Sequence, residues 1–88
     1  MKIEVQKSFE KDIAKVSGRE LSIKILAIIK SIETCQKPSE VPHLKKMTGY
    51  KHYYRIKVGE YRIGLKIEKD SFILIRLMDR KEIYKYFP

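Results

Sequence analysis

Between Tyr53 and Glu68 the chain reads YYRIKVGEYRIGLKIE, and its cations recur at alternate positions: Arg55 and Lys57 before Gly59-Glu60, Arg62 and Lys66 after it. Residues of these types suit a phosphodiester. An Arg fork engages phosphate oxygens two at a time, and a Lys crowded by like charge can release its proton near neutral pH, which Arg cannot. The grouping has chemical meaning only if the backbone brings these side chains to one surface.

The alternation predicts two strands joined at Gly59-Glu60, a two-residue Gly-X loop typical of a II′ turn. Such a turn places Val58 opposite Tyr61. The same register sets Lys57 against Arg62, Ile56 against Ile63, Arg55 against Gly64 and Tyr53 against Lys66. Side chains alternate between the faces of a strand. Tyr54, Ile56, Val58, Tyr61, Ile63, Leu65 and Ile67 therefore share one face, and Arg55, Lys57, Arg62 and Lys66 share the other. Like charges directly opposite each other destabilise a sheet, and a purely structural hairpin more often crosses Lys with Glu. Gly64 is expected to leave open space beside Arg55. A phosphate backbone lying across the sheet fits this arrangement.

The rest of the chain supplies the support. Ile3 and Val5 alternate with Lys2, Glu4 and Gln6 as a short strand. Ser8 is placed as an N-cap ahead of Phe9, Ile13 and Val16, the stripe of one short helix. Ser17 and Glu20 have capping-box spacing before a longer helix, whose apolar stripe is Leu21, Ile25, Ile28 and Ile32, widened by Leu26 and Ile29. Residues 36 to 51, with Pro38, Pro42 and Gly49, read as a long loop carrying Lys45, Lys46 and Lys51. Strands are expected at about 52–58, 60–68 and 71–79. In the last of these, Ile73, Ile75 and Leu77 are assigned to the helix side, so that Arg76, Met78 and Arg80 extend the basic face. A helical turn within 79–87 would set Tyr84 beside Arg80. The fold class is α+β: β-α-α-β-β-β with a short C-terminal helix, a mainly antiparallel sheet packed on two helices, in one domain over residues 1–88.

The composition agrees with a polyanionic partner. Twenty Lys and Arg face eleven Asp and Glu, a formal charge of +9. Residues 1–43 hold eight basic and six acidic side chains, whereas residues 44–88 hold twelve and five. The excess thus lies in the half that carries the hairpin. Cys35, the single cysteine, cannot form an internal disulfide and fits a reducing cytoplasm. The N-terminus lacks the pattern of a signal peptide, and no apolar run reaches the ~18–20 residues of a membrane span. His43 and His52 each stand without a marked partner.

The hairpin, the basic stretch LKKMTG at Leu44 to Gly49 and the ending DRKEIYKYF together resemble the RelE/ParE superfamily of bacterial type II toxins, over essentially the whole chain. The resemblance implies a RelE-like fold and a cytoplasmic toxin held inactive by a cognate antitoxin protein. In RelE-like members it implies cleavage of mRNA in the 30S A site of the ribosome, without metal or cofactor, by attack of the RNA 2′-hydroxyl on the adjacent phosphate. The antitoxin is expected to cover the basic face or displace the tail, and to carry the complex onto operator DNA. Residue by residue, the match falls on Arg55, Lys57, Arg62 and Tyr84, with Arg80 four before the Tyr. Two positions depart from the pattern: Arg55 stands where the best-known RelE-like members have Lys, and Met78 about where they have Arg.

Transesterification needs a proton taken from the 2′-OH, charge stabilised on the phosphorane, and the leaving 5′-oxygen protonated. Lys57 is assigned as base, or as stabiliser of a substrate-derived alkoxide. Arg62 and Arg55 clamp the non-bridging oxygens, Arg80 serves the leaving group, and Tyr84 stacks on a base or orients the nucleophile. Lys45, Lys46, Lys51, Lys66 and Arg76 are expected as RNA contacts. The alternatives are a ParE-like, non-enzymatic inhibitor of DNA gyrase and a plain nucleic-acid-binding domain.

Overall fold

The computed structural model describes residues 1–16 and 18–88. The elements are β1 (Lys2–Val5), α1 (Lys7–Lys15), α2 (Arg19–Thr34), a 3-10 turn (Pro38–Glu40), β2 (Leu44–Lys46), β3 (Tyr53–Val58), β4 (Tyr61–Glu68), β5 (Ser71–Asp79) and α3 (Ile83–Tyr86). They build a five-stranded sheet in the order β1-β5-β4-β3-β2. Among the described residues, only the β1–β5 pairing is parallel. Helix α1 lies against β5, and α2 against β1 and β3. No described helix is long and apolar enough to cross a membrane.

The β3–β4 hairpin has the register that the two-residue turn requires: Val58 faces Tyr61, Lys57 faces Arg62, and Arg55 faces Gly64. Gly59 takes φ 58° at the first turn position, where a Cβ would be strained. Ile56, Ile63, Leu65, Phe72 and Leu74 are fully buried with Phe9 and Ile32 in the core on the helix side. Each such side chain contributes roughly 1.5–3 kcal/mol of burial. Cys35 is packed in the same core, its thiol donating to the Ile32 carbonyl at 3.2 Å.

Four local expectations give way. Residues 44–46, expected within a loop, form an edge strand on β3, with Leu44 opposite Ile56. Three residues are too few to show periodicity, and exposed lysines are a usual guard on an edge strand. Two residues expected in apolar stripes are exposed, Leu26 of α2 at 65% and Ile13 of α1 at 37%. Ser8 is not an N-cap: α1 begins at Lys7 with Gln6 as its cap residue. The proposed capping box involves Ser17, which lies outside the described residues.

The fourth concerns β5. Leu65 pairs with Leu74 and Gly64 with Arg76, so Ile75 is an extra residue in a β-bulge. A one-residue offset exchanges the two faces of a strand. Phe72 and Leu74 therefore enter the core, whereas Ile75 joins a second apolar cluster with Met47, Ile83, Phe87, Tyr53 and Met78. Beyond the bulge the expected faces return, with Leu77 in the core and Met78 in the second cluster. Helix α1 satisfies the backbone that the bulge disturbs. The Ser8 hydroxyl donates to the Ile75 carbonyl at 2.6 Å, and the Leu77 amide donates to Asp12 Oδ2 at 2.9 Å.

Candidate active site

The cations of the hairpin gather on the sheet face turned away from α1 and α2, toward the β3–β4 turn. Lys57 and Arg62 are a direct cross-strand pair, with Met78 next to Arg62 on β5. Lys57 is exposed, and Arg62 and Arg55 are half-buried. Arg62 folds toward the turn, donating from Nη1 to the carbonyls of Gly59 and Tyr61, each at 2.9 Å. These bonds occupy one arm of its fork, Nη1, and hold the guanidinium toward the turn.

Arg80 reaches the same end of the sheet. Its backbone amide donates to the Glu60 carbonyl at 2.9 Å, and its Nε lies 3.2 Å from the Glu60 carboxylate. Both side chains are more than half exposed. An ion pair of this kind stabilises by only about 0–1 kcal/mol, so a phosphate can replace the carboxylate at little cost. Glu60 is not among the site residues expected from the sequence. It is the only acid within the hairpin's cation run, and that was its signal.

Tyr84 is not beside Arg80. Helix α3 starts only at Ile83, and the Tyr84 ring lies over the Arg55 guanidinium, 5.6 Å from its carbon to the ring centroid. Arg55, Tyr84, Lys46, Met47, Thr48, Tyr50 and Phe87 enclose a recess of about 280 Å³. Gly64 does not leave open space: the Phe87 ring fills it. A glycine inside a central strand marks a close approach, and the approaching group is the tail.

The expected RNA contacts divide. Lys45 stands opposite Arg55, and so on the cationic face, whereas Lys46 stands opposite Tyr54 while bordering the recess. Lys51 is exposed beyond β2. Lys66 is held by Glu68 at 2.6 Å, a hydrogen bond that raises its pKa, and lies 5.7 Å from the Tyr53 ring centroid. Arg76 spends its fork on Asp12, at 2.7 and 3.2 Å, rather than standing free for phosphate. Burial pushes the Asp12 carboxyl upward. Hydrogen bonds from Arg76 and the Leu77 amide, with the charges of Arg76 and Lys15, outweigh burial and hold it below its ordinary value.

Comparison with known proteins concerns the family and the fold. The family model described as the ParE toxin of type II toxin-antitoxin systems matches residues 3–84. Toxin RelE3 of Methanocaldococcus jannaschii is 42% identical, with the full length of both chains covered. The RelB-RelE antitoxin-toxin complex of Methanococcus jannaschii contains a chain that superposes with a TM-score of 0.82 at 38% identity, covering 97% of this chain and 99% of that one. In the archaeal RelE-RelB complex of Pyrococcus horikoshii OT3, a chain with 18% identity superposes at 0.72, covering 90% and 93%; this likeness concerns the fold. On the match over residues 3–84 and the full-length likeness to Toxin RelE3, the chain belongs to the ParE toxin family and is a RelE-like toxin.

Proposed function

We propose that this toxin is an endoribonuclease that cuts mRNA on the ribosome, and that a cognate antitoxin holds it inactive. The observation that carries the reading is the Lys57–Arg62 pair, two like charges set directly across a sheet with Arg55, Arg80 and Tyr84 around them. Such a pair lowers stability, and a bound phosphate offsets that cost. In the reaction, the 2′-oxygen forms a bond to the adjacent phosphorus while the bond to the 5′-oxygen breaks. The products are a 2′,3′-cyclic phosphate and a free 5′-hydroxyl. Lys57 accepts the 2′-OH proton, or as the ammonium stabilises the alkoxide. Arg62 and Arg55 hold the non-bridging oxygens. Arg80, released from Glu60, donates a hydrogen bond that stabilises the leaving oxygen, which takes its proton from water. Lys45, Lys46, Lys51 and Lys66 contact the RNA backbone.

The antitoxin assignment rests on the solved relatives, which are complexes with RelB, and on the +9 charge of this chain. An acidic segment across the cationic face would occupy the place of phosphate.

The test is induced expression followed by primer extension on a reporter mRNA. Cuts within translated codons, lost in Lys57→Ala and Arg62→Ala, support the reading. Growth arrest with intact mRNA overturns it, and accompanying DNA damage would point to gyrase. Stacking is tested separately. Tyr84→Ala is expected to slow cleavage roughly 10-fold, the scale of one base–aromatic contact, and Tyr84→Phe to keep most of the rate. Equal losses in the two variants would assign the role to the hydroxyl instead.

A further inference from the structure

Gly64 lies between Arg55 on β3 and Arg76 on β5, in the buried middle of the sheet. A Cβ built there would stand 2.8–2.9 Å from three atoms of the Phe87 ring, closer than such contacts come in folded proteins. Position 64 therefore needs glycine for room. Phe87 is 5% exposed and meets Tyr53 edge-on at 5.6 Å between centroids. Its amide donates to the Ile83 carbonyl at 2.9 Å, and Ile83 is fully buried in the same cluster. The four residues of α3 are too few to hold a helix unaided, so the seats of Ile83 and Phe87 locate it. Tyr84 projects from this turn over Arg55, the residue directly opposite Gly64. The seat of Phe87 and the perch of Tyr84 are thus the two members of one cross-strand pair.

We infer that Gly64 and Phe87 are a positioning pair: the ring in the glycine notch fixes the tail so that Tyr84 stands over Arg55, where the RNA base is to be received. The inference rests on the nuclease reading, because the consequence it names is catalytic.

Purified wild type, Gly64→Ala, Phe87→Ala and Tyr84→Ala, with the Gly64→Ala/Tyr84→Ala double variant, are compared in two ways. One readout is amide hydrogen exchange of residues 84–87. The other is the cleavage rate on mRNA-programmed ribosomes, with circular dichroism to confirm folding. The expected result is faster tail exchange and roughly 10-fold slower cleavage in both Gly64→Ala and Phe87→Ala. In the Tyr84→Ala background, Gly64→Ala is expected to cost nothing further. A general structural defect would slow the double variant beyond Tyr84→Ala. That outcome, or full cleavage by Gly64→Ala despite fast tail exchange, overturns the inference. If Gly64→Ala fails to fold, Phe87→Ala and its double with Tyr84→Ala carry the same comparison. Cleavage by the wild type with no loss in the variants refutes only the positioning pair. No cleavage by the wild type refutes the nuclease reading, and unchanged tail exchange in both variants then refutes the seat as well.

Discussion

Lys57→Ala is expected to lower the cleavage rate by about 10²–10⁴, the usual range for loss of a positioned acid–base group, without loss of stability. The two halves of this result have one cause. Lys57 is exposed and its cross-strand partner is Arg62, so truncation removes a repulsion and no buried contact. The melting temperature should hold or rise slightly, as substitutions at surface positions away from caps and buried networks change stability little. Lys57→Arg separates the two roles open to this side chain. Arg retains the charge but not the ability to take a proton. If Lys57 is the base, Arg fails about as badly as Ala; if it stabilises an alkoxide, Arg keeps much of the rate. Wild-type cleavage by Lys57→Ala would remove this residue from the chemistry and leave the arginines to account for it.

How much of this was legible depended on the range of the interactions involved. A two-residue turn dictates register, so every cross-strand pair from Val58–Tyr61 to Tyr53–Lys66 could be read in advance. The site cations on β3 and β4 came with it. Strand β5 could not be read in the same way. Its alternation is interrupted at Ile75, and the groups that accommodate the bulge, Ser8 and Asp12, belong to α1. Asp12 itself left a trace: it falls three residues after Phe9 and four before Val16, on the stripe that α1 turns inward. An acid on an apolar face calls for a cationic partner, but nothing in the order of residues names Arg76. The tail was half legible. The glycine opposite Arg55 was noted, yet open space and a seated aromatic ring look alike in a sequence. Only the path of residues 80–87 distinguishes them.

Asp12→Ala is expected to destabilise the fold by about 3 kcal/mol at neutral pH, near the lower end for breaking a buried ion pair. For a chain of this length that corresponds to a fall in melting temperature of about 12–24 °C. The size follows from what is stranded. Arg76 keeps its charge in a partly buried place without its acceptor, and the Leu77 amide loses its partner beside the bulge. Asp12→Asn keeps an acceptor for the amide and should cost less. The pH dependence fixes the cause. The folded-state pKa of Asp12 lies below its ordinary value of 3.8, so the unfolded chain takes up the proton first as pH falls. The ionised group therefore stabilises fully above about pH 5, and its contribution fades as pH drops through 3.8 toward the lower folded value. Other carboxylates titrate in wild type and variant alike and cancel in the difference. Urea unfolding of wild type and Asp12→Asn between pH 7 and 2 should show a gap that is constant at the neutral end and closes in acid. A gap of the same size at every pH would mean that the shape and hydrogen bonding of Asp12, rather than its charge, join α1 to the bulge.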